Sequence, residues 1–192
     1  MTRRSTGRSR QLATSSTAEA TVWETLVAEA ADESPLWEES LRPADEQDRT
    51  AVFSPLGDPL YALGIETIYE GYLLHYGRSR LFAPADPDTA LLLGDYLYAH
   101  GLVRVAATGS VAAVHDLAEL ISLCAQARAD GRAGEMEAWA ATAALLGRGS
   151  LGPARAALRD AADPSALADV ARETVGADAF ELACCAHALL VG

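Results

Sequence analysis

A chain of 192 residues has room for one domain with a full core and little room for a second. All 15 basic residues are arginine and stand against 27 acids, and a formal charge of −12 argues against nucleic acid as the main partner. The charge is uneven: Arg3, Arg4, Arg8 and Arg10 share the first sixteen residues with no acid, which leaves 11 Arg and a net charge of −16 from Thr17 onward.

The tail, residues 1–16, carries the charge of a leader's first segment, but no apolar run follows it. It reads as a disordered, solvated arm, with contact to an anionic lipid surface or a partner as the alternative. The domain is expected to span 17–192. Thr17 is placed to cap a first helix whose Val22, Leu26 and Ala30 share one face, and Pro35 closes it. Between Leu36 and Pro59 the prolines and the acidic cluster Asp45, Glu46 and Asp48 predict a short helix and a connecting loop. That cluster reads as a solvated face rather than a divalent-ion site.

Two apolar helices organise the chain from Leu60 to Ala107. In the first, Ile65, Ile68, Tyr69, Tyr72 and Tyr76 recur at steps of three or four and lay an aromatic stripe, read as core with a ligand-facing wall as the alternative. Glu66 and Glu70 lie four apart on a face of their own, where solvent is the expected neighbour and Arg78, Arg80 or a partner chain the alternatives. In the second, Asp86 or Asp88 with Pro87 starts the helix, and leucines on more than one stripe predict a central position in the domain. Gly94 and Asp95 interrupt this apolar run. The glycine predicts close approach of another helix, and the carboxylate is expected to be buried and to accept hydrogen bonds from a neighbouring element.

Ser110 caps a clean amphipathic helix ending before Gly131, and glycines and prolines then punctuate four further helices. Nothing alternates like a strand. The fold class predicted is all-α, a single-domain bundle of about eight helices.

Nucleophile elbows, phosphate-cradling loops and zinc-ligand spacings are absent. Cys124, Cys184 and Cys185 have neither disulfide nor zinc-site spacing, and the adjacent pair Cys184 and Cys185 reads as small core residues of a terminal helix; together with the lack of an apolar run after the tail, this points to the cytoplasm. His75, His100, His115 and His187 are scattered and read as structural, and no apolar run is long enough to span a membrane.

From Gly64 to about Gly131 the order of features resembles the trans-isoprenyl diphosphate synthases, the polyprenyl synthetases. The resemblance rests on GIETIYEGYLLHYG, on RSR in the position of an arginine-bearing loop, and on TALLLGDYLYAHGL with its Gly94-Asp95 pair. ISLCAQARAD, with Gln126 and Asp130, stands where the family has Gly-Gln-x-x-Asp. It implies an isoprenoid-synthase-like bundle. The family holds Mg²⁺ against an allylic diphosphate with two aspartate-rich motifs, whereas this chain has no Asp-Asp pair and reads LLHYGRSR where the first should stand.

The resemblance is therefore to the short, motif-lacking small subunits of heterodimeric long-chain prenyl diphosphate synthases. It implies a non-catalytic or partner-dependent subunit with no cofactor of its own, Mg²⁺ entering only through a catalytic partner. That partner would be a prenyl diphosphate synthase subunit, with a homodimer as the other arrangement. Arg78, Arg80 and His75 are the implied diphosphate contacts, and Tyr69, Tyr72 and Tyr76 the implied wall of a chain-elongation cavity. No residue is assigned as catalytic or as a metal ligand. The alternatives are a helical scaffold derived from a prenyl synthase, with no prenyl substrate, and an independent enzyme acting on a diphosphate through Arg78, Arg80 and His75.

Overall fold

The computed structural model describes residues 22–149 and 151–191, so the expected cap at Thr17 and the basic arm lie outside the described residues. Among those residues every regular element is helical. Helix α1 covers 22–33, and it is followed by α2 (Pro35–Glu39), α3 (Ala62–Tyr76), α4 (Pro87–Ala106), α5 (Val111–Ala129), α6 (Glu135–Ala144), α7 (Gly152–Ala161), α8 (Ser165–Val175) and α9 (Ala177–Val191). Counted with the single turn of α2, the bundle has nine helices among the described residues.

The predicted start signals act as expected. Asp86 accepts the Thr89 amide at 2.9 Å and Pro87 occupies the first turn of α4. Ser110 accepts the Ala113 amide at 3.2 Å at the head of α5. Pro35 ends α1 and also opens α2, where Ser34 caps the Leu36 amide. Leu60 and Tyr61 belong to a tight 3-10 turn, Pro59–Tyr61, so the α-helix begins at Ala62.

The central helix is α3. Ten consecutive residues, Gly64 to Leu73, are buried, which only a helix packed on every side can achieve. This corrects the expectation for α4, which buries only Leu93, Gly94, Leu97, Gly101 and Val105 and leaves much of its apolar surface outside. Around α3 the main core gathers Phe53, Tyr69, Tyr72 and Trp139, with ring centroids 5.0 to 5.9 Å apart. A second apolar cluster joins Trp23, Leu26 and Ala30 of α1 to Leu81, Phe82, Leu93 and Leu97.

Helices α3 and α4 run antiparallel with their backbones in contact, because glycines seven residues apart on each helix face one another. Gly64 meets Gly101, where a methyl group on the latter would stand 3.1 Å from the Gly64 carbonyl oxygen. Gly71 meets Gly94, whose carbonyl oxygen would lie 2.8 Å from a methyl at Gly71. Close approach at Gly94 is thus borne out, and it is shared among four glycines.

Candidate functional site

The loop after α3 sends its two arginines in opposite directions. Arg78 is exposed, and its amide closes onto the Leu190 carbonyl at 2.8 Å. Arg80 turns inward and is wholly buried. Its Nε donates to Glu70 at 2.6 Å, one Nη to Glu66 at 2.7 Å and the other to the Thr50 carbonyl at 2.6 Å. The guanidinium also lies over the rings of Trp23 and Tyr69, 4.7 and 4.9 Å from their centroids. Glu70 collects the Ser79 hydroxyl at 2.6 Å and the Arg80 amide at 3.2 Å, and Glu66 accepts the Ser54 amide at 3.3 Å.

The expectation that Glu66 and Glu70 face solvent is therefore overturned. Two carboxylates one turn apart on α3 are tolerable in the core because one forked cation spans both. Arg80, in turn, has no face left for a diphosphate. It ties α1, the Thr50 segment and the turn at 79–82 to α3.

The tyrosine stripe also turns into the core. Tyr69 and Tyr72 are completely buried, and Tyr76 is half-buried. The Tyr69 hydroxyl lies 2.9 Å from Nδ1 of His187, and Arg128 donates to the Tyr72 hydroxyl at 2.9 Å. Burial drives both phenols far above their ordinary range. The Tyr69 and Tyr72 rings pack edge-on against Trp139, with centroids 5.0 and 5.6 Å away.

His187 is held neutral, its pKa lowered to about 4 by burial and by Arg128. With the imidazole neutral, the Tyr69 hydroxyl and Nδ1 share one hydrogen bond whose donor is set by the imidazole tautomer. The unfolded chain takes up a proton below about pH 6.5 that the folded chain refuses until about pH 4. The His187 contribution is therefore intact at neutral pH, and about 3 kcal/mol of stability is lost as the pH falls across that window. Urea melts of wild type and His187→Gln at intervals from neutrality downward check this. The variant is expected to have the flatter profile, and parallel profiles would exclude the mechanism.

His75 and Asp95, singled out for separate reasons, come together: Nε2 stands 3.2 Å from Oδ1 across the α3/α4 contact. The His75 ring fills the space beside Gly94 and stacks on Tyr98, with centroids 5.0 Å apart. Burial lowers its pKa, and Asp95 opposes the shift. Asp95 itself is 67% exposed. The expected buried carboxylate is thus corrected: α4 turns this position toward solvent, where water satisfies it. Asp95→Ala is accordingly expected to change stability by no more than about 0.5 kcal/mol, measurable by chemical denaturation.

Two polar groupings had no forecast. At the surface end of the stripe, Arg128 of α5 meets Glu135 of α6 at 2.6 Å, and burial raises the Glu135 pKa against the pull of that arginine. Deeper, Asp116 accepts from Arg155 at 2.9 Å and from the Gly147 amide at 2.9 Å. The second had a signal: Asp116 stands in the apolar register of Ala113, Leu117 and Leu120, where a charge must be paired. Of the adjacent cysteines, Cys184 is buried and its thiol is pushed up to about 12. Cys185, the next residue along the chain but about 100° further around the helix, is exposed, against the expectation that both are core residues.

Gln126 and Asp130 line a shallow surface dimple with Leu123, Ala127, Arg132, Leu158 and Arg159. Among the described residues no group of three or more His, Cys, Asp or Glu side chains is placed to hold a metal ion, and no helix is long and apolar enough to cross a membrane. Comparison with protein-family models, with curated proteins and with solved structures gives no match.

Proposed function

We propose that this chain works by association and performs no chemistry of its own: it is a non-catalytic, partner-dependent helical subunit. One observation carries this reading. The side chains best suited to grip a diphosphate or line a prenyl channel, Arg80, Tyr69 and Tyr72, are all spent on the core, at 0% exposure. Arg78 and His75 remain near the surface, and together they make no enclosed site.

The resemblance over α3 to α5 supplies the partner class, a catalytic polyprenyl diphosphate synthase subunit, to whose chain elongation this chain would contribute. Mg²⁺ and the aspartate-rich motifs would belong to that subunit. The alternative is a helical scaffold without a prenyl substrate. Affinity purification of the tagged chain from its own cells, with mass spectrometry of what co-elutes, separates the two. Stoichiometric recovery of a polypeptide with two aspartate-rich motifs is the expected result, and unrelated partners would favour the scaffold. Prenyl diphosphate synthesis by the purified chain alone would overturn the association reading itself.

A further inference from the structure

We propose that α1 is a strap that lifts from the bundle as a unit, turning about Ser34, and that in its seated position it withholds a helix-sized groove on α4 and the turn at 79–82. Three of its side chains are buried, Trp23, Leu26 and Ala30, and none of them belongs to the main core. They pack instead in the smaller cluster with Leu81, Phe82, Leu93 and Leu97. A contact set apart from the main core can open without disturbing it.

One clasp holds the other edge of the strap. The Glu29 carboxylate meets Nε2 of His100 at 3.2 Å and also Nη2 of Arg104, while 44% of the Glu29 side chain stays in solvent. Seating α1 also carries costs. The Trp23 indole N–H and Nε of Arg104 are buried with no hydrogen-bond partner among the described residues, and both gain water when α1 lifts. Arg80 gives up little, because its side-chain hydrogen bonds go to Glu70, Glu66 and the Thr50 carbonyl and only the Trp23 ring leaves it. The turning point is equally defined. Ser34 is the single residue between α1 and α2, with extended backbone (φ −159°, ψ 135°). Just beyond it the chain is pinned: the Ala83 amide donates to the Ser40 carbonyl at 2.7 Å, and the Arg42 amide to the Leu81 carbonyl at 2.8 Å.

The 12 described residues of α1 span about 18 Å. Lifting them uncovers a slot of that length with an apolar floor, Leu81, Phe82, Leu93 and Leu97, and a basic end, His100 and Arg104. Such a slot fits an acidic amphipathic helix, and in the closed chain α1 is that helix.

Native-state amide hydrogen exchange on the full-length chain, resolved by residue at low urea, tests the strap. A helix of this length is marginal alone in water, so its amides exchange whenever it lifts. Amides 26–33 are expected to share one opening, about 100-fold or more less protected than Ile68 and Tyr69 of α3 and less dependent on urea. Glu29→Gln should speed exchange across all of 26–33 by about 5- to 20-fold and leave α3 unchanged. Asp32→Asn, at an exposed acid of the same helix, should not speed it. A thiol placed under the strap, Leu93→Cys in a Cys185→Ser background, should be labelled through the same opening and faster with Glu29→Gln. Protection that climbs steadily from 26 to 33 would mean fraying from one end, and protection and urea dependence equal to those of α3 would mean that α1 opens only with the whole fold. Either result overturns the proposal, as does a Glu29→Gln effect confined to the residues beside it or a thiol at 93 that stays unlabelled while α1 exchanges.

Discussion

Arg80→Met is expected to lower stability by about 3–5 kcal/mol, a large share of what a domain of this size possesses. Glu66 and Glu70, at 1% and 0% exposure, would keep their burial and lose the cation that both share. Glu70 would retain the Ser79 hydroxyl and the backbone amides of residues 80 and 81, whereas Glu66 would keep only the Ser54 amide. The Thr50 carbonyl would lose its donor, and the Trp23 ring the charge beneath it. Arg80→Lys keeps the charge, but an ammonium cannot reach three acceptors in one plane, so an intermediate loss is expected. Combining Arg80→Met with Glu66→Gln and Glu70→Gln removes the unpaired charges and should recover part of the loss. Denaturant melts followed by circular dichroism distinguish these outcomes. A loss below about 1 kcal/mol for Arg80→Met would mean that water already serves the two carboxylates.

Local signals in the sequence located most helices, and long-range pairing decided the site. Asp86, Ser110, Pro87 and the glycines after α5 and α8 act within a turn of themselves, so they can be read from neighbours alone. The position of Arg80 cannot. Its alternation with exposed Arg78 depends on how the chain leaves α3 at Gly77, where a side chain would meet the Leu190 carbonyl of α9 at 2.7 Å. Hydropathy ranked α4 as central because its leucines occupy several stripes. The structure assigns that place to α3, which packs its two glutamates inside against a single arginine. A charge pair at one-turn spacing looks solvated until the cation ten residues beyond is counted. Asp95 misled in the opposite sense: an acid among leucines looks buried, yet those leucines are themselves partly outside.

The glycine contact between α3 and α4 supports a second expectation of similar weight. Gly71→Ala should destabilise the protein by about 1–3 kcal/mol, although alanine is worth about 1 kcal/mol more than glycine in a helix interior. The added methyl would stand 2.8 Å from the Gly94 carbonyl oxygen and 3.0 Å from the Tyr98 ring. A backbone oxygen cannot step aside, so the two helices must separate, which loosens Ile68 against Gly101 and His75 against Gly94 along the same seam. At Gly94 the first obstacle is the His75 imidazole, 2.6 Å away, a side chain that can rotate toward the exposed Asp95. Gly94→Ala is therefore expected to cost less than Gly71→Ala. Gly152→Ala, at a helix start with open space around it, should be neutral or stabilising by up to about 1 kcal/mol, which sets the baseline for the comparison. If all three substitutions shift the denaturation midpoint alike, the seam is not close-packed and the hairpin is held by its flanking side chains. The expected order, Gly71 below Gly94 below Gly152 in stability, follows only if backbone meets backbone at the first of these positions.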